Sequence, residues 1–533
     1  MTSRLPEVLP RIGAAGSRSA GLHGSDDAPA SPPRPRALQQ FLVLRWIGTM
    51  GALLMGVGGL GAGALPVINS PFRLAPGGDL MARMLQASSS IVLIGVAFIV
   101  LAWALMWRYV GESAVTTGAL KRTFAAWALP IALTAPLFTQ DIYSYLAQGS
   151  IVAQGLDPYE AGPVQLLGTE HHLARSVPFI WANSPSPYGP VALGIAAFIS
   201  RVTQDSIVFG VLAHRGVNLA AIVLAGWAVS HMARRCGVRP ATALWLGLLN
   251  PLTLLHLVGG IHNEAIMLGL ALAGLEIGFR GIDRLTAGRA VPGYLMLSVS
   301  LFLISCAGMV KVTGFIGLGF VGMTYAHRLR LRGRPPALAV GQAIVVATVG
   351  LIASVALMTW VSGINLGWAT GQGGAASIRS WMSITTDIGV IFGFIGEALG
   401  LGDHSEAMLI ITRGAGLVVS LAFLVRMLLA TFAGRIHPVG GLGVSTFVLV
   451  ILFPVVHPWY MLWAILPLAT WANRPFFRIA VVAYSTLMSF FVLPRGLALS
   501  AQTVLTIYLQ GAVAAAIIGA GGWFLLRRLK VIA

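Results

Sequence analysis

Acidic side chains are scarce in this chain: 17 aspartates and glutamates stand against 35 lysines and arginines in 533 residues, and charged residues of both signs make up only 10%. A soluble domain needs a charged, solvated surface. A chain that is 56% apolar, with a mean hydropathy of +0.82, cannot hide that much apolar area in one core, and it reads as an integral membrane protein. Cysteine is nearly absent. Cys236 and Cys306 supply neither a disulfide framework nor a metal-ligand spacing, so both read as buried or interfacial thiols. No phosphate-binding loop is present, because glycines 56, 58, 59, 61 and 63 follow no strand and are better explained by close helix packing. The net charge of +18 resembles that of a nucleic-acid binder, yet the Lys and Arg residues fall mostly in short loops between apolar runs, where they set orientation in a bilayer. That distribution argues against a nucleic-acid partner.

Residues 1–36 are rich in Pro, Arg, Ser and Ala with no apolar period, which predicts a disordered basic cytoplasmic tail, and the polytopic domain is expected over 37–533. The first apolar run begins near Phe41 and is long enough to span, unlike a signal peptide. Apolar runs suited to crossing a membrane fall around 41–64, 89–108, 123–139, 206–231, 241–258, 263–280, 292–309, 312–328, 337–361, 406–432, 440–456, 459–473, 477–494 and 503–526. The expected fold is therefore all-α and polytopic, with about 14 transmembrane helices. Basic clusters at 121–122, 234–239, 280–289, 328–334, 435, 474–478 and 527–530 all lie inside if the N-terminus does. Pro190–Val202 is apolar but short and carries Arg201, so it is expected to lie at, or dip into, the outer surface.

This map leaves two long extracytoplasmic loops, about 139–205 and 362–405, and puts eleven of the 17 acids on the outer side or at its edge. The first loop opens with TQDIYSYLAQGSIVAQGLDPYEAG, which holds Asp141, Asp157 and Glu160 among Tyr143, Tyr145, Gln148 and Tyr159. A carboxylate at the end of a transmembrane helix, with tyrosines on the same surface, suits a sugar-transferring site; equally, Asp141 can cap a juxtamembrane helix. Gly259–Glu264 places His262, Asn263 and Glu264 near bilayer depth, where ionisable residues tend to line a functional cavity, with a capped tight turn as the alternative. HNE offers no second histidine at helical spacing, so zinc is not indicated. Lys311, in GMVKVTG, either snorkels to the headgroups or holds a lipid phosphate. In PVVHPWYMLW, Trp459 and Tyr460 fit an interfacial belt, while His457 is a candidate for substrate contact.

Taken in order, DIYSY, QG…GLDPY, PYGP, GGIHNEA and HPWY resemble the actinobacterial α-(1→6)-mannopyranosyltransferases of the MptA and MptB type, over about 41–526 and closer to the B type in HNE and overall pattern. In HNE, Glu264 stands where Asp is expected in many relatives. The resemblance implies a GT-C-class glycosyltransferase in the plasma membrane, with its active site facing outward. It implies polyprenyl-phosphomannose as donor, the α-1,6-mannan core of lipomannan and lipoarabinomannan as lipid-linked acceptor, and no assigned metal. By the same likeness the catalytic carboxylate of the first outer loop falls on Asp141. The chemistry agrees: polyprenyl phosphate leaves without a general acid, whereas the acceptor hydroxyl needs a base. One inverting displacement then needs one carboxylate, where a retaining hydrolase would want two about 5–5.5 Å apart. Lys311, His262 and Arg379 are candidates to hold the phosphate, and Tyr143, Tyr145, Tyr159 and Tyr188 to meet sugar faces or hydroxyls. Gln148, Asp157, Asn263, Glu264 and His457 complete the expected substrate-binding set. Two alternatives stay open: a lipid-linked transferase for arabinose or another mannosyl acceptor, and a lipid or small-molecule transporter. The lack of internal repeats and the gathering of polar residues at one face count against transport.

Overall fold

The computed structural model describes residues 20–24, 36–66, 76–371, 379–380, 382–496 and 499–529, and among them the chain is helical with no strand. Among the described residues, eight helices are long and apolar enough to cross a membrane: Ala37–Ala62, Leu85–Met106, Ile207–Arg235, Glu264–Thr286, Ala290–Gly308, Pro336–Ser362, Ser405–Phe432 and Ala501–Arg528. Pro190–Thr203, Pro438–Leu452 and Pro475–Met488 are apolar but shorter. The all-α polytopic fold is the expected one, but the fourteen apolar runs do not become fourteen full-length helices. Several are interrupted, and proline is the cause in two cases that matter below.

The run expected at 123–139 ends as a helix at Ala132, just beyond Pro130, and continues as irregular chain to Gln140. The run at 241–258 stops after Pro240–Gly247, where Asn250 and Pro251 break the ladder, and resumes as a π-helical turn over Thr253–Gly259. Proline lacks the N–H that an α-helix needs, and Asn250 compensates by accepting from Leu252 N at 3.0 Å. Non-helical backbone of this kind is tolerated at membrane depth only when buried in protein, and it often marks a functional site. Both stretches are buried almost throughout.

Small residues and tryptophans set the packing. Helices Ala37–Ala62 and Leu85–Met106 touch backbone to backbone: a Cβ on Gly95 would stand 2.5 Å from the Gly51 carbonyl oxygen, and one on Gly51 would stand 2.6 Å from that of Gly95. The glycine-rich first span therefore serves close helix packing, as its sequence indicates. Trp103 and Trp245 exchange hydrogen bonds, each indole N–H donating to the other's carbonyl at 2.9 and 2.8 Å, so two large rings are buried without an orphaned donor. Every residue of Leu462–Trp471 is buried, which puts that short helix at the centre of the bundle.

The basic loops meet at one end of the bundle. Arg235 pairs with Asp283 at 2.7 Å and Glu276 at 3.5 Å, Arg328 and Arg332 donate to the Leu285 carbonyl, and His327 contacts the Phe432 carbonyl at 2.8 Å. Three residues of the expected disordered tail are held there too: the Leu22 carbonyl accepts from Asn473 N at 3.1 Å, His23 stacks on Trp471 with ring centroids 5.5 Å apart, and Gly24 N donates to Asn473 Oδ1 at 3.0 Å. At the opposite end gather the turns that carry Asp141, His262, Lys311 and His457. The expected loop 139–205 is largely structured, with helices Asp141–Ala153 and Pro190–Thr203 packed so closely that a Cβ on Gly149 would stand 2.5 Å from the Ala196 carbonyl.

Widening Gly95 to leucine has to separate the first two spans, and overpacking of this kind costs about 1–3 kcal/mol. Gly95→Leu should therefore lower the thermal unfolding midpoint in detergent, while Gly111→Leu, at a glycine with nothing within 4 Å of a built Cβ, should not. Equal midpoints would contradict the close contact.

Candidate active site

Four turns converge at the end away from the basic loops. The first follows the broken helix at Ala132 and delivers Asp141 as the opening residue of Asp141–Ala153. Asp141 does not cap that helix. Gln140 holds the cap position, Thr139 Oγ1 accepts from Asp141 N at 3.1 Å, and the carboxylate points elsewhere. Its Oδ1 accepts from Trp181 Nε1 at 3.3 Å, and its Oδ2 lies 3.5 Å from His262 Nδ1. Burial pushes the Asp141 carboxyl up, but the His262 contact and charge, helped by His457 and Trp181, leave it below the usual aspartate value.

The second turn, Gly260–Asn263, follows the π-helical stretch. Asn263 is buried at the start of helix Glu264–Thr286 without capping it. Glu264 Oε1 accepts from Lys311 Nζ at 2.7 Å and lies 3.4 Å from Trp459 Nε1. Lys311, on the third turn, also donates to Tyr460 OH at 2.8 Å and sits 4.0 Å from that ring's centroid. It is 21% exposed on its side chain, so it faces inward to a carboxylate rather than snorkelling outward. Gly189 of PYGP is pressed against this turn: a Cβ there would meet the Met309 carbonyl, which only glycine avoids, and Tyr188 is thereby brought up to the site.

The fourth turn, His457–Met461, supplies a stack. The Trp459 ring is parallel to His262 at 4.0 Å on centroids and to His457 at 4.6 Å, and His256 lies 4.6 Å away behind it. Burial lowers the His457 imidazole to about 4 and keeps it neutral near pH 7. His262 Nε2 is buried with no hydrogen-bond partner among the described residues. Such an orphan is expensive in a closed core, and it leaves this ring nitrogen able to take one further hydrogen bond. Among the described residues no three His, Cys, Asp or Glu side chains gather to hold a metal ion.

Of the residues singled out in the sequence, Asp141, His262, Glu264, Lys311 and His457 form this cluster, with Asn263 beside it. Tyr145 and Tyr188 border it, their hydroxyls 3.4 Å apart. Gln148 lines a small cavity with Tyr145, Tyr188 and Asn263, and the remaining ones brace the structure around the site or lie away from it. Tyr143 is a buried strut donating to the Ala64 carbonyl at 2.5 Å, and Gln148 accepts from Ser186 at 3.1 Å. Asp157 and Tyr159 brace the loops: Asp157 accepts from Asn365 at 2.6 Å, and Tyr159 donates to the Tyr188 carbonyl at 2.9 Å. Arg379 pairs with Glu406 at 2.7 Å on the surface, and its neighbours 372–378 and Trp381 lie outside the described residues. Trp181 had no sequence signal. Trp459 and Tyr460 had one, in HPWY, but their residue types point first to an interfacial belt.

Comparison with known proteins gives a consistent result. A family model described as α-(1→6)-mannopyranosyltransferase, N-terminal domain, matches residues 45–327, and one described as MptB C-terminal domain matches 385–520. The chain is similar to α-(1→6)-mannopyranosyltransferase B of Corynebacterium glutamicum, at 58% identity over 98% of this chain and 92% of that protein. It is 39% identical to an α-(1→6)-mannopyranosyltransferase of Mycobacterium tuberculosis, over 89% and 86% of the two chains. It is 32% identical to α-(1→6)-mannopyranosyltransferase A of the same organism, over 83% and 82%. The higher identity to the B enzyme agrees with the B-type pattern of the sequence. No solved structure gives a significant match.

Lys311→Met strands the buried Glu264 carboxylate, and breaking a buried pair from one side costs about 3–5 kcal/mol. Adding Glu264→Gln removes the second charge and should recover most of that loss. Unfolding midpoints of the single and double variants check this; equal midpoints would mean that Lys311 and Glu264 are not coupled.

Proposed function

This chain belongs to the α-(1→6)-mannopyranosyltransferase family, and we propose that it transfers mannose from polyprenyl-phosphomannose to a growing α-1,6-mannan core on a lipid acceptor, with Asp141 as general base. The observation that carries this reading is the Asp141 carboxylate, held by Trp181 and His262 beside the Glu264–Lys311–Tyr460 group. The acceptor oxygen attacks the anomeric carbon from the face opposite the phosphate. Its proton passes to Asp141, the bond from carbon to phosphate oxygen breaks, and polyprenyl phosphate leaves with the electron pair. The configuration inverts, so a β-linked donor gives an α-linked product. A carboxylate held below its usual pKa is ionised at neutral pH and ready to accept that proton.

Negative charge gathers on the phosphate as the bond breaks, and fixed donors stabilise it there. An ammonium has three N–H donors, and Glu264 and Tyr460 take up two of those on Lys311, which leaves one for a phosphate oxygen. The unpartnered His262 Nε2 is the second candidate. An apolar cavity of about 340 Å³ runs between Pro438–Leu452, Leu462–Trp471 and Pro475–Met488, lined by Val444, Ile465 and Phe477 among others. A second cavity, of about 290 Å³, shares Met461 and Tyr484 with it, and Tyr484 donates to the carbonyl of Pro458, one residue from Trp459. This apolar path beside the polar site suits a polyprenyl chain. The protein is a multi-pass membrane protein, and the placement of its basic loops supports a site on the outer face of the plasma membrane.

Asp141→Asn keeps the shape and the contact to Trp181 but cannot take a proton. Loss of a positioned base typically costs ~10²–10⁴-fold in rate, so the variant should be well expressed, bind donor and be nearly inactive. Asp157→Asn, at a loop brace, should be much milder. In the wild type the rate should hold down to pH values below the ordinary aspartate range and fall only as Asp141 protonates. Full activity in Asp141→Asn would remove this base from the mechanism. For orientation, a cysteine placed at Gly168 should react with an impermeant reagent added outside whole cells and one at Arg332 should not; the reverse pattern would invert the map.

A further inference from the structure

Arg215 lies in the Ile207–Arg235 span, is 1% exposed, and hydrogen-bonds to no carboxylate among the described residues. All five of its N–H donors are directed at backbone carbonyls. Nε donates to Val258 at 3.2 Å; Nη1 to Ala132 at 2.8 Å and Thr134 at 2.7 Å; Nη2 to Ala135 at 3.5 Å and Gly259 at 3.3 Å. These acceptors lie at, or just beyond, the ends of two interrupted helices. Ala132 is the last residue of Thr117–Ala132, and Gly259 is the last of the π-helical stretch. Helix C-termini expose unsatisfied carbonyls and the negative end of the helix dipole, so a guanidinium is the side chain that can neutralise two of them at once.

The chain beyond the first break leads in a few residues to Asp141, and beyond the second to His262. Each stretch contains a non-glycine residue with left-handed backbone, Phe138 at φ 66° and Ile261 at φ 59°. A β-branched residue in that region is an outlier, and such conformations persist only where surrounding contacts over-determine them. Leu137 N donates to the Gly259 carbonyl at 3.0 Å, so the two stretches also touch directly. One helical turn along from Arg215, Asn218 Nδ2 donates to the Leu257 carbonyl at 3.2 Å and to that of His262 at 3.0 Å. No other side chain among the described residues bonds to the backbone on both sides of the Asp141–His262 pair.

We propose that Arg215 is a positioning residue for mannosyl transfer: its guanidinium locks the two broken helix ends together, with Asn218 securing the His262 side, and so sets the spacing of Asp141 and His262. The proposal rests on the reading of Asp141 as the base. Arg215 touches no substrate in this arrangement. It acts through the backbone, and substrate binding is left to other groups. Misplacing a catalytic group by about 1 Å can cost ~10²-fold in rate, whereas a purely structural staple would change how much protein folds and leave the rate of each folded molecule alone.

The test uses the full chain, purified and reconstituted in lipid vesicles, with rates expressed per folded molecule. Arg215→Lys keeps the charge but cannot bridge five carbonyls; Asn218→Ala loosens only the His262 side. Arg215→Lys should lower kcat by roughly 10–100-fold, and Asn218→Ala by a smaller factor, both with donor and acceptor KM near wild type. Wild-type kcat in folded Arg215→Lys, or a raised KM with unchanged kcat, would overturn the proposal. If Arg215→Lys does not fold, Asn218→Ala decides: a reduced kcat supports the positioning role, and a wild-type kcat refutes it. Asp141→Asn in the same assay separates the two claims. If it is inactive while the other two variants run at wild-type rate, only the positioning role fails; if it is active, the base assignment itself fails.

Discussion

Five backbone carbonyls around one buried guanidinium hold the candidate site together. Two helices that break inside the bundle leave their C-terminal carbonyls unsatisfied, and neither water nor lipid can satisfy them there. Arg215 does, and the irregular chain that results carries Asp141 on one side and His262 on the other. A continuous helix in either place could not present its side chains in this way. Pro130 lies close to the first break, the second falls where the π-helical stretch ends at Gly259, the guanidinium makes both tolerable, and the polar cluster occupies the space they open.

Scarcity of acids has a consequence at this end of the molecule. Two carboxylates, Asp141 and Glu264, lie close together with different partners. Glu264 is paired with an ammonium, and among the described residues the Asp141 carboxylate meets a histidine and an indole N–H. The first is committed to its cation, and the second has no cation of its own, as the proposed base requires. That division fits a single displacement with one base. It also fits a lipid phosphate leaving group, which needs donors around its oxygens but no acid. The stack of His262, Trp459 and His457 walls the cluster, and apolar space beside the same turn suits the lipid part of the proposed donor.

Much of this was legible in the residues. Composition and periodicity indicated the all-α membrane fold, and the scarce polar motifs, DIYSY, HNE, the lone Lys311 and HPWY, marked turns that do meet. Residue type alone could not say which way each side chain points. Tyr143 and Tyr145 sit two apart on one helix, so one faces the first span and the other faces the site, and neither pattern nor polarity separates them. Trp459 and Tyr460 are residue types that usually belong to an interfacial belt, yet here the indole N–H donates to Glu264 and the phenol oxygen accepts from Lys311. Arg215 offered a clear signal, an arginine inside an apolar run with no acid at helical spacing. Its partners are carbonyls, which no sequence pattern displays.

Transfer by the purified protein in lipid vesicles bears most directly on the proposed chemistry. With polyprenyl-phosphomannose, a short α-1,6-mannoside acceptor and no nucleotide sugar, the product should be longer by one mannose. NMR should show a new α-1,6 linkage formed with inversion from the β-linked donor. No transfer from the lipid donor by folded protein, with transfer from a nucleotide sugar instead, would contradict the mechanism at its root.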